Sequence, residues 1–292
     1  MRNAETVELE ANGIRFSAYR WGVGPLVLCL HGFPDNAHSF RHQVAPLVSA
    51  GYRVVAPYMR GYAPSSAAPD GVYQSAALSR DVVALIEALG EEDAVVFGHD
   101  WGALAAYGAA AFRPERVKKL VAAAVPYGPS LLNAFATDYE QQKRSWYMFF
   151  FQLPLADVAL AHDDYIFVRK LWRDWSPGWD FPEEEMDSVR ATLAQPGVAE
   201  AALAYYRCMY QPELQSPELA DEQAALGMVP INVPTLYLHG ESDGCLSGEL
   251  LEGMESMFPS GLITRLVKGA GHFVHREKPE EVNRALLDFL AS

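Results

Sequence analysis

The sequence predicts an α/β chain: a mostly parallel, eight-stranded sheet covered by helices on both faces, with a helical element inserted before the last strands. Three observations predict it. Strand-like and helix-like stretches alternate from Leu26 to Val125. The alternation stops at Pro126 and does not return until after Met228. Two further apolar strands, 235–239 and 263–267, then restore it. Alternation at this spacing requires right-handed crossovers and therefore parallel strands.

Taken in order, residues 5–20 read as two antiparallel strands joined at Ala11-Asn12-Gly13, because Asn-Gly tolerates the positive φ values that a tight hairpin demands. The strands that follow are 26–30, 53–57, 94–97 and 120–125, separated by helices at about 39–50, 74–89 and 102–112. From Pro126 onward the chain is helical and rich in aromatic residues, with no convincing buried strand until Thr235. A connection this long is not a loop inside a compact domain. It is expected to be a cap of residues 127–228, overhanging a core made of residues 1–126 and 229–292. Trp146, Phe149, Phe150, Phe151, Trp172, Trp175 and Trp179 are expected to form the cap's own core, with a few facing a substrate pocket. A last helix closes the chain near 279–291.

Composition removes several function classes. Acidic residues outnumber basic ones by 37 to 23, for a net charge of -14, so neither a nucleic acid nor an anionic membrane surface is an expected partner. Met1-Arg2-Asn3-Ala4-Glu5 begins no apolar leader, and no stretch reaches the roughly 20 apolar residues of a membrane span. Cys29, Cys208 and Cys245 are odd in number and lack metal-ligand spacing, which points to a reducing cytoplasm and no metal. A homodimer is among the assemblies the sequence permits.

The chemistry centres on Gly98-His99-Asp100-Trp101-Gly102, between the strand at 94–97 and the helix that follows. A strand entering a helix through small-x-nucleophile-x-small makes a sharp turn that lifts the central side chain clear of the backbone. Serine there would indicate acyl transfer. A carboxylate indicates attack on a saturated carbon, with an alkyl-enzyme ester as intermediate. Asp243 follows the strand at 235–239, and His272 follows the strand at 263–267. Nucleophile, acid and histidine thus come in the order of the α/β-hydrolase triad, each just past a strand's C-terminal end. Strand-end position favours His272 over His275, Glu241 is a weaker competitor of Asp243 for the acid, and a helix N-cap is the competing role for Asp100.

With these motifs the chain resembles the epoxide hydrolases of the α/β-hydrolase superfamily over nearly its whole length. His31-Gly32-Phe33-Pro34 resembles their oxyanion segment, whose Phe-Pro bond is typically cis, and the elbow at Asp100 resembles theirs. Tyr147-Met148-Phe149-Phe150-Phe151-Gln152 and Leu203-Ala204-Tyr205-Tyr206-Arg207 resemble the two cap segments that carry ring-opening tyrosines. The resemblance implies that Asp100 attacks the epoxide while Tyr147 and Tyr206 donate to its oxygen, Tyr205 being a rival for the second place. It further implies that His272, oriented by Asp243, activates a water, and that the Phe33 and Trp101 amides hold the oxyanion. Phe33, Trp101, Tyr147, Phe151 and Tyr206 are then the expected pocket wall around a small hydrophobic epoxide, with no cofactor. His31 and His99 are expected to position backbone. Trp101 either packs or directs its indole N–H into the pocket, and Cys245 either lines the site or packs. The rival activity is haloalkane dehalogenation by the same Asp–His–Asp set, although Phe33 stands where an Asn halide donor often follows His-Gly.

Overall fold

The computed structural model describes residues 4–292; Met1, Arg2 and Asn3, on which the reading of a missing leader partly rests, lie outside the described residues. The chain runs β1 (Glu5–Ala11), β2 (Ile14–Trp21), β3 (Leu26–Leu30), α1 (Arg41–Ser49), β4 (Arg53–Pro57), α2 (Ser75–Ala88), β5 (Ala94–His99), α3 (Trp101–Phe112) and β6 (Val117–Ala123). Seven helices come next: α4 (Pro129–Thr137), α5 (Tyr139–Arg144), α6 (Trp146–Phe150), α7 (Leu155–Trp175), α8 (Glu183–Leu193), α9 (Val198–Tyr210) and α10 (Ala220–Ala225). The chain ends with β7 (Thr235–Gly240), β8 (Leu262–Val267), α11 (Val274–Glu277) and α12 (Pro279–Ala291).

One eight-stranded sheet has the order β1-β2-β4-β3-β5-β6-β7-β8. β1 and β2 form the antiparallel hairpin, with Asn12 at φ 47 and Gly13 at φ 74 in the turn, as the Asn-Gly pair predicts. β2 pairs antiparallel with β4, and every pairing from β4 to β8 is parallel. The central strands β3 and β5 are buried along their whole length. Unbroken apolar runs such as Leu26-Val27-Leu28-Cys29-Leu30 are what a strand covered on both faces needs. None of the described helices is long and apolar enough to cross a membrane.

The segment between β6 and β7 is helical, and its aromatic residues divide more unevenly than expected. Phe151, Trp172 and Trp175 are fully buried, whereas Trp146 and Phe149 lie on the surface, 46% and 42% exposed. Trp146 and Phe149 are three apart on α6 and so share one face, which turns outward while Tyr147 and Met148 turn inward. This helical insertion meets the C-terminal ends of β3, β5, β7 and β8, where the loops carrying the expected site residues converge.

Candidate active site

Asp100 occupies the turn between β5 and α3 with φ 54 and ψ -120, a strained backbone for a residue with a side chain. The flanking glycines make the turn sterically feasible. A Cβ at Gly98 would lie 2.1 Å from the Gly102 carbonyl oxygen, and one at Gly102 would lie 2.0 Å from that of Leu30. Although Asp100 is the N-cap residue of α3, its side chain makes no capping hydrogen bond. The carboxylate turns instead toward the oxyanion segment, where Oδ1 accepts from the Phe33 N–H at 2.7 Å. The Phe33–Pro34 bond is cis. Among the described residues, the Trp101 amide, expected as the second donor, makes no hydrogen bond to this carboxylate.

His272 lies on the other side of Asp100. Its Nδ1 donates to Asp243 Oδ2 at 2.9 Å, and its Nε2 is 3.5 Å from Asp100 Oδ2. Asp243 Oδ1 accepts from the amides of Cys245 and Leu246. Burial opposes ionisation of Asp243, but His272 and these donors hold it below the usual carboxylate range. Burial likewise opposes charge on His272, yet Asp243 and Asp100 outweigh it and raise the imidazole from 6.5 to about 10. The rivals sit elsewhere. His275 Nε2 is engaged by Ser39 Oγ at 2.7 Å, and the exposed Glu241 accepts from the Gly269 amide. His31 and His99 bind backbone as expected: Met59 N–H donates to His31 Nε2, and His99 Nε2 meets the His272 carbonyl.

A cavity of about 240 Å³ opens above Asp100 and takes in Trp101, Tyr147, Tyr206 and Cys245. Tyr205 and Tyr206 are neighbours on α9, so about 100° of helical rotation separates their side chains. Tyr205 Oη donates to the Arg60 carbonyl at 2.8 Å, away from the cavity. Among the described residues, the buried Tyr206 Oη and Trp101 Nε1 have no hydrogen-bond partner of good geometry, although the Trp101 side chain lies against that of Tyr206. Tyr147 Oη lies 3.3 Å from Cys245 Sγ. Burial, then neighbouring groups that include Asp100, keeps both cavity phenols protonated, with their pKa values well above 10.

Two of the expected wall residues do not line this cavity. Phe33 and Phe151 are fully buried behind it, with ring centroids 5.3 Å and 5.1 Å from that of Tyr206. The remaining wall comes from Leu131 and Phe135 on α4, Met209 on α9, Gln223 on α10 and Leu226 just after it. Sequence reading did not find these residues, because an apolar helix stripe looks the same whether it faces a core or a cavity. Cys245 does line the cavity. Asp243, Cys245 and His272 are close enough to share a cation, as are Asp35, His99 and His275. In both groups the carboxylate is already engaged, Asp243 by His272 and two amides, and Asp35 by Ser39 and Arg276.

This arrangement has counterparts among known proteins. A family model described as alpha/beta hydrolase fold matches residues 25–279. Epoxide hydrolase 3 of Siraitia grosvenorii is 31% identical, the match covering 99% of each chain. The chain belongs to the epoxide hydrolases of the alpha/beta hydrolase fold. AB hydrolase superfamily protein YfhM of Bacillus subtilis is 34% identical over 91% of this chain and 90% of its own. The crystal structure of epoxide hydrolase A from Mycobacterium thermoresistibile has a TM-score of 0.84 and 30% identity, covering 99% of both chains.

Proposed function

We propose that this hydrolase opens a small hydrophobic epoxide to a vicinal diol through a covalent ester on Asp100. The observation that carries the reading is a carboxylate at the elbow facing, across a largely apolar cavity, two neutral phenols, one of which has no hydrogen-bond partner of good geometry among the described residues. Asp100 Oδ2 attacks an epoxide carbon, and Tyr147 and Tyr206 donate to the oxygen that leaves it. Residues 127–228 act as the cap that brings these phenols over the core formed by 1–126 and 229–292.

The protons close into a cycle. In the resting site His272 holds a proton between two carboxylates. Once Asp100 becomes a neutral ester, one of those carboxylates is gone and the imidazole loses its grip on that proton. The proton passes through the phenols to the new alkoxide. Neutral His272 then takes a proton from water, and the resulting hydroxide attacks the ester carbonyl. Negative charge collects on Oδ1, where the Phe33 amide waits. Collapse expels the diol oxygen, which takes the proton of the newly formed Asp100 carboxyl. Asp100 is left as a carboxylate and His272 is left protonated.

A single turnover in isotopically labelled water tests this. The expected first diol carries unlabelled oxygen from Asp100, and Asp100→Ala is inactive. Label in the first diol would mean direct attack by water and would remove Asp100 as nucleophile. One observation favours haloalkane dehalogenation as the second reading: the unpartnered Trp101 indole N–H beside Asp100 is a donor suited to a leaving halide. Release of halide that survives the double change Tyr147→Phe/Tyr206→Phe but not Trp101→Phe would establish it.

A further inference from the structure

The three residues after Phe33 are each tied to a different element, and most of the ties lead into the helical insertion. The Pro34 carbonyl accepts from Trp172 Nε1 on α7 at 3.0 Å. Asp35 Oδ2 accepts from Arg276 Nη1 on α11 at 2.8 Å, and the same guanidinium pairs with Glu185 on α8 through Nε at 2.9 Å. Asn36 Nδ2 donates to Ser188 Oγ and Thr192 Oγ1 on α8, both at 3.0 Å. The Arg276 guanidinium lies against a stacked pair of indoles in the insertion, 4.5 Å from the Trp172 ring centre and 5.2 Å from that of Trp179. The side chains of Asp35 and Arg276 are 1% and 2% exposed. Burying such a charged chain is costly before pairing, and apolar packing would stabilise as well. What the chain provides is a fixed geometry, anchored at Asp35 two residues past the Phe33 amide.

We propose that Glu185, Arg276 and Asp35 are positioning residues that transmit the seating of α8 to the Phe33 amide and so set the rate of ester hydrolysis. The proposal rests on the reading of Asp100 as nucleophile. It predicts an asymmetry between the half-reactions. Ring opening removes negative charge from Asp100, so a donor at Oδ1 favours its starting state. Ester hydrolysis creates negative charge on Oδ1, so the same donor favours its transition state.

The test uses Glu185→Gln, which keeps shape, and the uncharged double change Ser188→Ala/Thr192→Val. Single-turnover rate constants, normalised to titrated active sites, are measured for ester formation and ester hydrolysis with one epoxide that the wild type turns over. Hydrogen exchange is followed at the Phe33 amide. In both variants the expected results are hydrolysis about tenfold slower, ester formation changed by less than about threefold, and faster exchange at Phe33. A clamp that served only stability would lower the unfolding temperature and leave both rate constants alone, and that result would overturn the proposal. A wild-type enzyme that forms no ester would instead remove the Asp100 reading. In that case the exchange arm still decides the coupling: faster exchange supports it and unchanged exchange overturns it.

Discussion

Replacing Tyr206 by Phe should weaken catalysis with little effect on stability, and both outcomes follow from one atom. Tyr206 Oη faces the cavity and, among the described residues, has no hydrogen-bond partner of good geometry. A hydroxyl that faces a cavity with room for water and satisfies no other buried group contributes little to stability, so its removal should move the unfolding midpoint by less than about 2 °C. A positioned acid contributes about 10²–10⁴ in rate. Tyr147 remains to donate, so ring opening should fall toward the lower end, about 10²-fold. Tyr205→Phe is the matched control one residue away. It removes the 2.8 Å hydrogen bond to the Arg60 carbonyl and leaves that buried acceptor bare. It should cost about 1–2 kcal/mol of stability with little change in ring opening. Calorimetry and stopped-flow measurement of ester formation on both variants decide the matter. If Tyr206→Phe is destabilised and opens the ring at the normal rate, Tyr206 Oη is a structural hydroxyl and the assignment of the second phenol is wrong.

His272→Gln should still form the ester, the alkoxide then taking its proton from solvent, and fail to hydrolyse it, so that intact-protein mass rises by one substrate, on a peptide containing Asp100. Because His272 is raised from 6.5 to about 10, its contribution to stability is fully present below about 6.5 and is lost as pH rises toward about 10. Unfolding midpoints against pH should therefore decline over that window in the wild type and stay flatter in His272→Gln. Gly32→Ala would place a Cβ 2.2 Å from Asp100 Oδ1, and displacing the nucleophile on that scale should lower turnover by about 10²-fold in a steady-state assay of correctly folded protein.

The elbow, the hairpin and the parallel strands are legible in the sequence because each depends on local rules: glycines at a crowded turn, Asn-Gly at positive φ, and unbroken apolar runs in doubly covered strands. The triad is legible for a related reason, since strand ends mark where a parallel sheet presents its side chains. What is not legible depends on rotation and long-range contact. Tyr205 and Tyr206 stand side by side in sequence, and only the docking of α9 aims one at Arg60 and the other at the cavity. Phe151 reads as pocket wall and proves to be the support behind it, while Trp146 and Phe149 read as core and lie on the surface. The chain from Glu185 through Arg276 to Asp35 joins residues up to 241 positions apart, and no local pattern announces it.

The composition of the cavity bears on what happens after the chemistry. Its walls away from Asp100 are largely carbon, from Leu131, Phe135, Met148, Met209, Leu226 and Leu246. An epoxide brings one ether oxygen into that space, and the phenols can serve it. A diol brings two hydroxyls, each a donor as well as an acceptor, and away from Asp100 only a few wall groups, such as Ser75 and Gln223, can serve the second. Water outside satisfies both. In the proposed reaction, the increase in polarity favours the product's return to water and so helps clear the enzyme for the next molecule.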